Sequence, residues 1–535
     1  MGKMFGRIRN KSKSGRNNSE EIVQTGSYGP IPPSADAVKA SLNEIFSNCC
    51  DFILREIACG KNGAIRILVA YIDGFVSKNE LNQDVVRPIL DFLANEESPG
   101  GSSIYNRLTD CIVVNNDIHE AADMHQAVDG IISGEAVLFI DGETRALVVG
   151  VKAPQGRQVQ EPDTETSIRG AREGFVENLL TNTALIRKRI KNPNLKLEMM
   201  HLGDRTKTNV CICYIKGLAN EAIVREVRER LKKIKTDAVL DSGIIEQYIS
   251  DNRLSLFPTV GSSEKCDKLA GKLLEGRVAI FCDGSPHVLT VPYLFVESIQ
   301  ATDDYFDHAF FATFMRLLRV IALTTSTLLP AMYVALVVYH HTVIPFKLLL
   351  TLAASQQGIP FSPFVEAMLM IVAFELLREA GVRMPKPIGQ ALSIVGAIVL
   401  GEASVAAGIA SNLMVIVVAI TAVCSFIVPP LIRVTMILRF VYLAAANTMG
   451  ILGIAFVAVA VFVHLCKLRS FGVPYMAPFA PLTVSDLKDS FIVVPIWAMV
   501  TRPKVLRQQG NKRGQKGTKR QEVYTQSWQQ EKAGK

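Results

Sequence analysis

The chain has 535 residues, 49% of them hydrophobic, a formal net charge of +8 and ten cysteines. Such a length predicts several units rather than one core. Between Arg502 and Lys535 ten Lys or Arg face two Glu, so the surplus charge belongs to the C-terminus and not to a nucleic-acid-binding face. No C-x-x-C occurs, and neither Cys49/Cys50 nor Cys211/Cys213 has the spacing of zinc ligands, so buried thiols on a reducing side are expected instead.

The basic start MGKMFGRIRNKSKSGR lacks the apolar core and cleavage site of a secretory signal. Residues 1–33 read as a flexible basic arm that closes at Gly29-Pro30-Ile31-Pro32-Pro33. From Ser34 onward Val38, Leu42, Ile45, Phe46, Cys49, Phe52, Ile53 and Ile57 recur at helical spacing and predict a helix. The stretch Ala64 to Gly74 predicts a strand running into a glycine turn, with a helix after it through Glu80 to Leu93. Glu135 to Gly150 then predicts a hairpin around Asp141-Gly142.

Both patterns return. Val210 to Gly217 repeats the first strand, and Arg277 to Val291 repeats the hairpin around Asp283-Gly284. The offsets are 143 residues from Gly74 to Gly217 and 142 from Asp141 to Asp283, which predicts a duplicated α/β unit with subdomains 34–155 and 165–298. Two aspartates so placed invite an acid–base pair. Asp-Gly, however, is turn chemistry, so Asp141, Gly142, Asp283 and Gly284 are expected to be structural. The glycine-containing stretch Arg169 to Phe175 lacks the Lys-Ser/Thr ending of a phosphate loop and does not follow a strand. No nucleophile, base and orienting group assemble, so the expectation is a protein that is not an enzyme, with no cofactor and no metal.

The second half changes character. Uncharged runs extend from Val320 to Phe346, from Ala403 to Ile432 and from Phe440 to Cys466, each 27 to 30 residues long. A bilayer core needs roughly 20 apolar residues per helix. A transmembrane domain is therefore expected at 320–466. Before it, Asp303 to Asp307 with Arg316 and Arg319 predict an interfacial or coupling segment at 299–319, and the positive residues put the soluble region in the cytoplasm. Phe364 to Leu377 is short for a span and carries Glu366 and Glu375, so an interfacial or re-entrant helix is expected there, followed by a basic loop from Arg378. Ile388 to Ala410 and Leu413 to Ile432 would form a hairpin turning at Ser411-Asn412, closed on the inside by Arg433 and Arg439. Four or five spans result, and four return the basic tail, 467–535, to the cytoplasm. His340 and His341 read as interfacial.

Glu402 lies among Gly396, Ala397, Gly401, Ala403, Ala406 and Gly408. A carboxylate at membrane depth costs about 2.5–3.5 kcal/mol on insertion scales and usually faces a bundle interior or a watery path. Small residues let helices approach or leave room for water. Three positions remain open for Glu402: lining a cation path, a protonated packing contact, or a span end near the interface.

The ordered segments Arg169 to Asn178, Lys272 to Ala279, Val291-Pro292, Leu329 to Ala335, Leu350 to Ser355, Phe374 to Gly381 and Pro387 to Ala391 resemble the A subunit of GerA-type spore germinant receptors over roughly residues 35–500. Ala171 stands where that family commonly has Pro. The resemblance implies an α/β cytoplasmic region of two duplicated subdomains followed by an α-helical polytopic membrane domain, in the inner spore membrane. It also implies a transporter-like B subunit that holds the nutrient, a lipoprotein C subunit, and an oligomeric A subunit, pentameric and ion-conducting. In that reading Glu402, Gln390, Ser393, Ala397 and Gly401 are candidates for the pore or gate, while Glu366, Glu375 and Arg378 act at the membrane interface or in helix packing. A secondary transporter and a non-conducting scaffold are the alternatives.

Overall fold

The computed structural model describes residues 28–59, 65–94, 105, 108, 117–152, 165, 170–384, 396, 398–483, 486–499 and 502–503. The first sheet is built from β1 (Phe52–Cys59), β2 (Ile65–Ile72), β3 (Ile118–Ala121), β4 (Ala136–Ile140) and β5 (Ala146–Val149), all neighbours antiparallel, in the order β1-β2-β4-β5-β3. The second uses β6 (Leu195–Leu202), β7 (Thr208–Ile215), β8 (Gly261–Ser263), β9 (Val278–Cys282) and β10 (Val288–Val291) in the matching order β6-β7-β9-β10-β8.

Both faces of each sheet are covered, which is why the central strands read as unbroken apolar runs. In the first sheet Leu68, Ala70 and Ile72 pack under α1 (Ala35–Ile45) and α3 (Met124–Ser133). Ile67, Val69 and Tyr71 point to the opposite face, under a π-helical turn (Leu81–Val86) that leads into α2 (Arg87–Ala94). In the second sheet Cys211 and Cys213 face α4 (Leu179–Arg189) and α7 (Cys266–Leu274), whereas Val210, Ile212 and Tyr214 face α5 (Glu221–Lys232) and α6 (Ser242–Ile249). The halves are pinned by Arg187, which donates to Asp51 at 2.5 and 2.9 Å with both side chains buried.

One expectation needs correction here. Phe52, Ile53 and Ile57 lie on β1, not on the first helix, which ends at Ile45. Asn48 takes a φ of 59° and turns the chain, and β1 then pairs with β2 from Phe52↔Ile72 to Cys59↔Ile65. Apolar spacing over so short a run fits either element, and the partner strand decides.

Beyond the sheets comes a helical bundle. It contains α8 (Ala309–Tyr339), α9 (Phe346–Gln356), α10 (Pro363–Arg383), α11 (Asn412–Phe426), α12 (Ile432–Met449) and α13 (Ile451–Lys467). The helices Ala309–Tyr339 and Pro429–Met449 are long and apolar enough to cross a membrane. Contacts fix their directions. Helix α8 leaves the sheets, α10 and α11 return, α12 runs out beside α8, and α13 comes back. The segment from Gly396, against Leu377, to Gly408, against Gly358, runs outward between α10 and α11.

Three further expectations change. Helix α10 is one 21-residue element, roughly 31 Å long at 1.5 Å per residue, longer than the expected Phe364 to Leu377 and carrying Arg378 within it, and it packs among α8, α11 and α12. The run Leu413 to Ile432 breaks after Phe426, because Pro429 and Pro430 exclude helix before them and open α12. Arg433 and Arg439 therefore sit on α12 and not in a loop. The run Phe440 to Cys466 breaks at Gly450, whose φ of 60° and ψ of −138° suit glycine alone, so α12 and α13 form a tight hairpin. A Cβ on Gly453 would stand 2.2 Å from the Ala445 carbonyl oxygen, which only glycine avoids.

Residues after Lys467 are no loose tail at their start. The pair β11 (Arg469–Ser470) and β12 (Val473–Pro474) folds back on the second sheet. There Ser470 Oγ accepts from Tyr293 N at 3.0 Å and donates to the Thr259 carbonyl at 2.6 Å, and Tyr475 is fully buried. The strongly basic stretch from residue 504 lies outside the described residues.

Candidate functional site

The bundle holds charges that its sequence must neutralise from within. Glu366, in the first turn of α10, accepts from Ser411 N at 2.5 Å and from Ser411 Oγ at 2.6 Å. Ser411 is the N-cap of α11, and its Oγ accepts from Met414 N at 3.2 Å. A carboxylate at that helix N-terminus meets free N–H groups and the positive end of the dipole. Glu366 thus ties α10 to α11 at the end remote from the sheets.

Farther along α10, Glu375 pairs with Arg378 at 2.6 Å and with Arg439 of α12 at 3.0 Å. Arg439 Nε also donates to the Ser326 carbonyl of α8 at 2.9 Å. That carbonyl is free because Pro330, four residues on, has no N–H to give it. Arg439 therefore sits at the proline position and joins three helices. The sequence signal was present in Pro330 and in an arginine amid apolar residues, but treating charges as the ends of spans hid it. Two guanidiniums and one carboxylate leave this cluster with one net positive charge, an arrangement that locks helices and repels a passing cation.

Glu402 belongs to neither cluster. It lies on a π-helical turn (Val399–Ala403) and is exposed in the single chain, and among the described residues it makes no hydrogen bond or ion pair. Gly401, its neighbour, faces α11, with a Cβ position 3.8 Å from Val415. Gln390, Ser393 and Ala397, the other candidates on this stretch, lie outside the described residues.

A third cluster lies at the base of α8, where the chain enters the bundle from the second sheet. Arg316, fully buried on α8, donates to Asp304 at 2.9 Å, to Asp489 Oδ1 at 3.0 Å and to the carbonyls of Asp489 and Ser490 at 2.8 Å each. Arg319 reaches Asp304 at 2.7 Å, and Tyr305 donates to Asp489 at 2.9 Å. The acidic-aromatic string was legible in sequence. Its partner Asp489, far along the chain, was not.

Next to it Glu297 accepts from Arg277 and from Leu294 N at 2.6 Å, and pairs with Lys272 at 3.1 Å. Burial pushes the Lys272 ammonium down from 10.5 to about 8, against the attraction of Glu297. The folded chain thus gives up this proton before the unfolded chain does. Stability is expected to rise as pH climbs through about 8 toward 10.5, and this increment should vanish in Lys272→Met, measured as thermal unfolding of the two proteins against pH.

Asp141 and Asp283 are in different sheets and form no pair. Asp141 accepts from Ala35 N at 2.8 Å and Asp283 from Leu179 N at 3.2 Å, so each carboxylate holds the start of the first helix of its half. Gly142 and Gly284 take φ of 92° and 84° and donate to the carbonyls of Pro33 and Glu177. One group has metal-ligand spacing among the described residues, Asp117, His119 and Glu135, but Lys152 already engages Glu135 at 2.9 Å.

The family described as Bacillus/Clostridium GerA spore germination protein matches residues 40–505. The chain belongs to this family. Spore germination protein KA of Bacillus subtilis (strain 168) is 41% identical over 475 residues, covering 88% of this chain and 87% of that protein. The membrane protein YfkQ of the same organism is 40% identical over 496 residues, 92% of this chain and 94% of the relative. A crystal structure of the N-terminal domain of the A subunit of the Bacillus megaterium spore germinant receptor GerK3 is 32% identical and covers 50% of this chain and 99% of that domain, with a TM-score of 0.40. GerA membership indicates a role in spore germination rather than catalysis, and the apolar helices indicate association with a membrane.

Proposed function

We propose that this GerA-family chain is the A subunit of a nutrient-responsive germinant receptor and that several copies form a ligand-gated cation channel. The observation that carries the reading is Glu402, exposed and without a polar partner among the described residues, on the segment between α10 and α11. Facing hydrocarbon it would cost about 2.5–3.5 kcal/mol. A second copy or a water-filled path removes that cost, and a ring of such carboxylates favours cations. A pentamer satisfies this requirement with five acids around one axis.

In this reading the two α/β subdomains, 34–155 and 165–298, face the cytoplasm, which is the spore core, and the bundle lies in the inner spore membrane. The transporter-like B subunit holds the nutrient, the lipoprotein C subunit completes the complex, and the basic C-terminus meets anionic headgroups. Nutrient binding favours one arrangement of helices through its differential affinity for the two states. The junction around Arg316 and Asp489 passes the change between the sheets and α8.

Glu402→Gln tests the side chain in its native setting. Nutrient-triggered release of monovalent cations from spores should slow about tenfold, the equivalent of 1.4 kcal/mol at the site, with the receptor present at its normal level. Unchanged release would favour a non-conducting scaffold.

A further inference from the structure

The two halves share one strand register, and this makes a difference between them informative. Arg55 stands opposite Val69 in the first sheet as Glu198 stands opposite Ile212 in the second, and both pairs are offset by 143 residues. Tyr71 and Tyr214 are related by the same offset, and each is 8% exposed.

In the second half this place is satisfied from within. Arg228 of α5 donates to Glu198 at 2.6 and 2.8 Å, and the Tyr214 hydroxyl donates to Glu198 at 2.7 Å. In the first half the strand residue is the cation, Arg55. The helical stretch above it, Leu81–Val86, supplies Val85 and Val86 where α5 supplies Arg228. Among the described residues Arg55 has no hydrogen bond or ion pair, and the hydroxyl of the largely buried Tyr71 makes no hydrogen bond, with the Lys78 ammonium the charge that acts on it. What lies between them is a cleft of about 210 Å³, lined also by Val69, Lys78, Leu81 and Val86. Lys78 is held at 2.9 Å by Asp73, which leaves Arg55 as the cleft's uncompensated charge.

We propose that this cleft binds a small carboxylate with a short aliphatic body, a ligand that supplies the anion this half of the chain lacks. Its carboxylate accepts from the Arg55 guanidinium and the Tyr71 hydroxyl, and its body packs on Val69, Leu81 and Val86. Charge-assisted bonds of this kind are the strong ones. The volume equals about seven waters of liquid, enough for a molecule of that class. The π-helical turn that roofs the cleft is the single such turn on either sheet among the described residues, and π turns recur at functional sites. The site stands apart from the conduction path and does not depend on the channel reading.

The probe is 4-methylpentanoate, titrated by saturation-transfer NMR onto the full chain in nanodiscs with empty nanodiscs subtracted. The carboxylate should bind, the uncharged 4-methylpentanamide at least about tenfold more weakly, and Tyr71→Phe should lower affinity about tenfold. Arg55→Glu should abolish binding. Because Arg55 is exposed and has no ion pair among the described residues, Arg55→Gln should lose affinity with no change in melting temperature, which separates a lost ligand contact from a lost fold. No binding to the wild-type chain, or binding indifferent to Arg55→Glu or to the amide, overturns the proposal.

Discussion

Glu375→Gln is expected to destabilise the bundle by about 3–5 kcal/mol, because it strips the shared carboxylate from two neighbouring guanidiniums, one of them, Arg439, fully buried. Arg439 is 1% and Glu375 6% exposed, so water cannot substitute for the missing charge. Arg439→Met should cost less. It removes the donors to the Ser326 carbonyl and to one Glu375 oxygen but leaves Glu375 and Arg378 as a balanced pair, a loss of about 1–3 kcal/mol. The double variant Glu375→Gln/Arg439→Met should therefore melt above Glu375→Gln alone in detergent. If Arg439→Met proves the more damaging single change, the proline carbonyl outweighs charge balance and the cluster has been misread.

Arg316→Met should release the C-terminal segment from the base of α8. Asp304 keeps Arg319, and Asp489 keeps Tyr305 and Gln300, but Asp489 and the carbonyls of Asp489 and Ser490 lose the buried guanidinium they share, at a cost of about 1–3 kcal/mol. Limited proteolysis between residues 468 and 499 should accelerate at least about tenfold, since local opening governs cleavage there. Arg319→Met is the control. It leaves the Arg316 contacts whole and should change the cleavage rate far less. Equal acceleration by both would mean that Asp304, not Asp489, anchors the junction.

The N-terminal α/β half was readable because its chemistry is local. Strands covered on both faces leave continuous apolar runs such as Ile67 to Ile72, and the returning Asp-Gly pairs mark the second copy. The reason for those aspartates was not readable, since their bonds to Ala35 N and Leu179 N span 106 and 104 residues. Phe52 to Ile57 misled because a short apolar run becomes helix or strand according to what lies beside it. In the bundle, counting uncharged residues found the region and misplaced its joints. Pro429, Pro430 and Gly450 break helices without adding charge, and Glu366, Glu375 and Arg439 sit inside helices because residues distant in sequence hydrogen-bond or pair with them. The difference between Arg55 and Glu198 appears only once both sheets are aligned strand by strand.

The most direct test of conduction is monovalent cation flux from proteoliposomes containing the purified chain with its B and C partners, with and without nutrient. Flux that begins on nutrient addition and falls in Glu402→Gln at equal assembly is the predicted result. A correctly oriented, fully assembled complex that passes no cations, or passes them equally with Gln at position 402, would contradict it.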